Sequence, residues 1–373
     1  MKIGILTQPL RHNYGGILQN WALQQVLFAM GHQPEMIFLC CGKRPKGRLL
    51  MRRCLSLAKC LVKKYLLGCK NVYVYSLFEP QYSPNNPMYV DAGFVHNIRK
   101  TKRLPSDVDL GRFIETREYD AFVVGSDQVW REDYSPAILR YFLDFLDLED
   151  RRPRVAYAAS FGKSKDYISE KYLPACRKLL RRFDAVSVRE YGGLEILERD
   201  FGFFKGVKVL DPTLLLSVEK YRTLIKDEDR AHHSHIAAYI LDTSKEIQRM
   251  LARLSSQFNI PTKIFSAGFV ENRMLTISQW LAEFENAEFV VTDSFHACVF
   301  SIIFQKPFIC LGNKYRGMER FHSLLEPLGL SDRLVSAESF SLPDSDINWQ
   351  QVNEKLEQMR ISSRQFLVEA LKC

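Results

Sequence analysis

A histidine behind an apolar run, an arginine behind another, and small polar residues beside paired glycines are the groups here that could move protons or hold an anion. The histidine is His296, in Thr292-Asp293-Ser294-Phe295-His296-Ala297-Cys298. It falls between Phe289-Val290-Val291 and the apolar stretch 299–304, which reads as strand, loop and helix. Asp293 or Ser294 would cap that helix, with His296 in its first turn. An imidazole there suits general acid–base chemistry, worth about 10²–10⁴ in rate; a purely structural histidine fits the same pattern. Arg189 ends Val186-Ser187-Val188. Its planar fork suits a phosphate or carboxylate, or equally an ion pair with Glu190. Gly125-Ser126-Asp127-Gln128 follows Phe122-Val123-Val124, so Ser126 and Asp127 either face a cleft or form a helix cap and its neighbour. Asn13-Tyr14-Gly15-Gly16 precedes a helix expected over 17–30. Its glycines would expose backbone N–H groups to an anion, or simply make a turn.

Other chemistries find less support. There is no readable Ser–His–Asp order, nucleophile elbow or HExxH motif. His232, His233 and His235 follow three acids, Asp227, Glu228 and Asp229, at a spacing that matches no recognised metal site. A polar linker is the better reading, and neither metal nor cofactor is expected.

The elements that must position these groups alternate between short apolar runs and amphipathic segments, the pattern of an α/β sheet with helical crossovers. Strands are expected at 3–7, 35–39, 121–125, 154–159, 185–188 and 207–210. A second series is expected at 235–241, 261–265, 288–291 and 307–311, and a last helix over 349–371. Pro212 in Asp211-Pro212-Thr213 cannot continue a central strand and closes the first half. The expectation is therefore two Rossmann-like domains, 1–213 and 214–373, facing one cleft, with a basic insertion over about 43–116. Ligands of such sheets sit at the carboxyl ends of the strands.

Composition bounds the class. With 46% hydrophobic and 25% charged residues in 373, the chain reads as globular. The net charge is +9, yet residues 43–70 hold ten Lys or Arg and no acid. The surplus is thus local, which argues against a nucleic-acid binder. Within that stretch Leu50, Cys54, Leu57, Leu61 and Tyr65 recur at helical spacing. This fits either a helix packed on one face or one resting on the anionic inner face of a membrane. Nine irregularly spaced cysteines, no CxxC pair and no secretory pattern lead to the cytoplasm as the expected compartment.

Taken together, the segments resemble the polysaccharide pyruvyl transferase family. The matching stretches are Ile3–Thr7 with Asn13-Tyr14-Gly15-Gly16-Ile17-Leu18-Gln19, Val123–Trp130, and Tyr157-Ala158-Ala159-Ser160-Phe161-Gly162. They continue with Ser187-Val188-Arg189-Glu190, Asp211-Pro212-Thr213, Thr292–His296 and Lys306-Pro307-Phe308-Ile309. The resemblance implies a glycosyltransferase B-like arrangement, with the last helix crossing back to the first domain. It also implies phosphoenolpyruvate as donor and a sugar with two suitably placed hydroxyls as acceptor, free or lipid-linked. By that analogy His296 is the functional histidine and Arg189 the donor-binding arginine. Asp127 would be a base for an acceptor hydroxyl, with Asn13, Tyr14, Gly15, Gly16, Ser126, Ser160 and Ser294 contacting substrate. One departure stands out: branches acting on cell-wall polymers carry an arginine two positions before the histidine, where this chain has Ser294. Donor phosphate would then rely on Arg189, the helix start, and Lys314, Arg316 or Arg320, which also suit a solvated basic loop. Arg11-His12 in the first loop is a second departure. A nucleotide-sugar glycosyltransferase and a non-catalytic sugar-phosphate binder share this architecture and stay open as alternatives.

Overall fold

Short β-branched runs become the strands of two parallel sheets. The first holds β1 (Lys2–Leu6), β2 (Gln33–Met36), β3 (Ala121–Asp127), β4 (Arg154–Ala159), β5 (Ala185–Val188) and β6 (Val207–Lys208), in the order β2-β1-β3-β4-β5-β6. The second holds β7 (Ile236–Tyr239), β8 (Thr262–Phe265), β9 (Phe289–Thr292), β10 (Phe308–Leu311) and β11 (Leu334–Val335), in the order β11-β10-β9-β7-β8. All neighbouring strands are parallel. The computed structural model describes residues 1–10, 13–39, 47–68, 92–135, 137–230, 234–266, 275–312, 318–338, 340, 342–343 and 345–372.

Each sheet reverses its strand order once, between β1 and β3 in the first and between β7 and β9 in the second. Such switch points open a crevice at the carboxyl edge, because successive crossover helices depart to opposite faces there. Both crevices fall next to the residues that the sequence singles out.

Packing follows the two-residue period of a strand. Ile3, Ile5, Val123, Val155 and Tyr157 of the first sheet face one apolar cluster, and Ala237, Tyr239, Val290, Phe308 and Cys310 of the second face the same one. Their alternates, such as Phe122, Val124 and Ala156, form a separate outer core; Ile236, Val291 and Ile309 form a third. The shared cluster also takes in the helices Tyr14–Ala29, Ile277–Glu285 and Phe295–Ile303. Tyr14 stacks on Trp280 with centroids 5.2 Å apart, and Trp21, Tyr221 and Phe300 continue the contact at 5.8 and 4.9 Å. The last helix, Trp349–Leu371, returns to the first sheet. There Ser363 Oγ accepts from Leu210 N at 3.0 Å, and Arg360 Nε donates to the Leu214 carbonyl at 2.6 Å. This two-sheet plan is a glycosyltransferase B-like arrangement.

Three local expectations need correction. β2 starts at Gln33 rather than 35, because Lys2 pairs with Gln33. Its apolar continuation changes partner instead of lengthening the sheet, through bridges Met36–Lys100 and Leu39–Leu104. β3 runs on to Asp127, so Ser126 and Asp127 belong to a strand and cap no helix. β11, two residues long, is too short to leave a periodic signal.

Candidate active site

The cluster at the crevice grows from four strand ends. Asp211, two residues before the short 3₁₀ turn reaches Thr213, is fully buried. Its Oδ1 accepts from Thr213 N at 3.0 Å and Thr213 Oγ1 at 2.6 Å. Its Oδ2 accepts from Arg189 Nη1 at 2.9 Å and from Ser126 Oγ at 3.4 Å, and faces His296 Nε2 at 3.6 Å. That last separation is too long for a hydrogen bond. His296 Nε2 is accordingly a buried polar atom without a hydrogen-bond partner.

Arg189 is held from three sides. Its Nε donates to Glu190 Oε1 at 2.9 Å, and Nη2 lies 3.7 Å from Asp127 Oδ1. The Phe295 ring lies beneath the guanidinium at 4.5 Å, a cation–π contact. Burial works against the arginine's charge, but Glu190, Asp211 and Asp127 outweigh it and raise its pKa further. Burial likewise opposes ionisation of Asp211. The close approach of His296, the charge of Arg189 and the hydrogen bonds from Thr213 prevail and hold its carboxyl well below the usual carboxylate range.

The remaining residues divide between this cluster and its supports. Asp127 sits at φ 75, a conformation costly for a non-glycine residue, and its Oδ1 accepts from Gln128 N at 2.9 Å. The single Ser126 hydroxyl proton is shared between Asp211 and the nearer Ala158 carbonyl, 3.0 Å away. Ser160 Oγ accepts from Gly162 N at 3.0 Å and so shapes its own loop. Tyr14 is committed to the domain contact, since its hydroxyl donates to the Leu275 carbonyl at 3.0 Å. Asn13 caps the first helix by accepting from Gly16 N at 3.0 Å, so that N–H is already occupied.

The capping expectation around His296 also changes. Ser294 holds the cap position of the helix Phe295–Ile303 but makes no side-chain cap bond. Asp293 instead accepts from Leu241 N and Asp242 N at 2.7 and 2.9 Å, tying the end of β7 to the end of β9. His235 pairs with Glu283 at 3.1 Å, and the described residues contain no group of three metal-ligating side chains. Arg11, His12, His232, His233, Lys314 and Arg316 lie outside the described residues.

Gly15 is the close approach that seats the histidine. A Cβ built there would fall 2.1 Å from Cγ and Nδ1 of His296. Alanine would favour the helix by about 1 kcal/mol, but its Cβ would also lie 2.6 Å from His296 Cβ, so Gly15→Ala displaces the imidazole and its helical turn at an overpacking cost of about 1–3 kcal/mol. Turnover should fall about 10²-fold, the scale of a 1 Å misplacement; kcat measured on a variant with unchanged near-UV circular dichroism checks this.

Beside the cluster a cavity of about 420 Å³ opens between the domains. Arg189, Glu190, Ser160, Lys163, Gly192 and Arg320 are among its walls. The domains are latched at its rim, where Tyr191 N donates to Ser323 Oγ at 2.9 Å and Gly192 N to Glu319 Oε1 at 3.2 Å. A second cavity, about 740 Å³, is lined by Ile260, Phe289, Pro307 and Trp349. It lies at the amino ends of the second sheet's strands, the edge opposite the cluster.

Asp211 is the centre of this arrangement, yet the sequence presents it only as the residue before a strand-ending proline. Its signal was the placement of an acid directly behind an apolar strand.

The fold and site define a two-domain glycosyltransferase B-like protein with a His–Arg–carboxylate cluster at facing strand ends. The family model for polysaccharide pyruvyl transferase matches residues 13–315, and the chain belongs to that family of enzymes. No curated protein matches the sequence. Among solved structures it is similar to the UDP-GlcNAc 2-epimerase of Neisseria meningitidis, at 12% identity over 100% of this chain and 99% of that one, TM-score 0.49. A spinosyn rhamnosyltransferase matches at 8% identity over 100% and 96%, TM-score 0.41.

Proposed function

We propose that this enzyme transfers pyruvate from phosphoenolpyruvate to two hydroxyls of one sugar residue, releasing phosphate and leaving a cyclic ketal. The supporting observation is the meeting of His296 and Arg189 at Asp211, with Asp127 against Arg189, in a chain of this family. His296 gives a proton to the methylene carbon of the donor, which becomes a methyl group as positive charge develops on the central carbon. The first hydroxyl adds there and loses its proton to Asp127. Phosphate leaves with the C–O electron pair, and the second hydroxyl closes the ring, losing its own proton to the now neutral imidazole of His296. Charge at the reacting carbon demands fixed dipoles and little water, which the buried cluster supplies.

The donor is strongly anionic, whereas Arg189 is already matched by three carboxylates. Donor phosphate therefore sits in the adjoining cavity, whose walls add Arg320 and Lys163, the latter itself paired with Asp133 at 2.6 Å. The same walls carry Glu190, Glu195 and Glu319, and Ser294 adds no cation in place of an arginine. A cavity of about 420 Å³ falls within the range of small-molecule sites and admits a sugar ring beside the donor.

The test is phosphate release from phosphoenolpyruvate with a panel of galactosides, mannosides and amino sugars, read with product mass. Sugar-dependent release with a pyruvyl mass gain is the expected result. Binding of a nucleotide sugar, with no binding of phosphoenolpyruvate, would overturn the reading.

A further inference from the structure

The basic segment forms the helix Gly47–Leu61, which continues through a wider π-helical turn, Val62–Leu66. None of its described positions is buried. Leu50 and Leu57 are half-buried, so the stripe that they share with Cys54 and Leu61 is only lightly packed. Met51, Leu55, Val62, Tyr65, Leu66 and Leu67 lie between 45% and 77% exposed. Met51, Leu55 and Val62 are spaced by four and seven residues and so fall on one face. Arg52, Lys59 and Lys63, all exposed, keep seven- and four-residue spacing and form the adjoining stripe. A folded chain rarely leaves an apolar stripe this open unless something covers it.

The charge identifies the cover. Ten Lys or Arg without a single acid across residues 43–70 would repel a second copy of the same helix. They match a surface that is anionic and apolar just beneath. The segment is also inserted after β2, at the carboxyl edge that carries the active-site cluster. Among the described residues no helix is long and apolar enough to cross a membrane, so contact would be lateral. We infer that the helix Gly47–Leu61 and its π-helical extension lie flat on anionic phospholipid, apolar stripe inward and cationic stripe at the headgroups. This holds whatever reaction the active site performs.

Cosedimentation of the full chain with vesicles tests it. Binding is expected to phosphatidylglycerol–phosphatidylcholine vesicles and not to phosphatidylcholine alone, and to weaken with salt. Each surface cation lost should weaken binding about fivefold, so Arg52→Glu/Lys59→Glu/Lys63→Glu should lower it by more than about 10²-fold. Leu55→Gln/Val62→Gln should also release the protein, because lipid contact needs the apolar stripe as well. The exposed positions leave the thermal transition unchanged, which serves as the folding control. Equal binding of wild type and the triple variant would overturn the inference. So would full binding by Leu55→Gln/Val62→Gln, which would mean charge contact with any polyanion. A dimer in light scattering that this double variant dissolves would overturn it too, by making the stripe a self-association face.

Discussion

His296→Gln lowers turnover by about 10²–10⁴-fold and leaves affinity for phosphoenolpyruvate within a few-fold. Glutamine keeps a polar amide of similar reach against Gly15 and Asp211, but it has no proton to deliver near neutral pH. The imidazole's Nε2 is the one to watch, since it is buried and lacks a hydrogen-bond partner. Removing it breaks no hydrogen bond of the fold, so the effect is confined to the chemical step. Single-turnover phosphate release measures that step, and a donor titration on the same variant isolates binding. Unchanged turnover would remove His296 from the mechanism and leave it as packing against Gly15.

Asp211→Asn is expected to cost about 3–5 kcal/mol of stability, the range for breaking a buried ion pair from one side. The amide cannot satisfy both neighbours. Its oxygen can stay with Thr213, turning NH₂ toward the Arg189 guanidinium, or it can face Arg189 and present NH₂ to the Thr213 N–H. Either way donors oppose donors in a site that water does not reach. The shift in urea midpoint at constant m-value measures the loss. The pH dependence carries a second signature. The wild-type carboxyl titrates well below the ordinary range when folded, so its contribution is complete above the unfolded pKa of about 3.9. It is withdrawn as pH falls from there through the folded value. Stability of the wild type should therefore drop more steeply below about pH 4 than that of Asp211→Asn. Parallel profiles would mean that the carboxyl has no such shift.

Much of the fold was legible because parallel strands buried on both faces leave continuous apolar runs. Phe122-Val123-Val124 and Val290-Val291 are plain examples, and each leads directly to site residues. What was illegible is convergence. The Arg189–Glu190 pair was readable from adjacency, but Asp127 and Asp211 are far from Arg189 in sequence, and nothing local in either says that it too meets the guanidinium. The same gap explains Asp293, which suits a helix cap by position but binds the end of β7 instead. Local rules rank partners by distance along the chain, and a crevice between two sheets does not respect that ranking. Tyr14 shows the converse: its place beside paired glycines suggested ligand contact, while its bulk was needed against Trp280.

The single apolar cluster that takes side chains from both sheets has a mechanical consequence. A hinge needs an interface that can part without exposing much hydrocarbon, and domains joined by small polar contacts meet that need. Here parting would wet Tyr14, Trp280 and Phe300 together, at a cost of roughly 25 cal/mol for each Å² uncovered. The crevice is thus a slot of fixed gauge, not a pair of jaws. Substrate selection falls to the shape of its mouth, and heating should melt both halves as one cooperative unit.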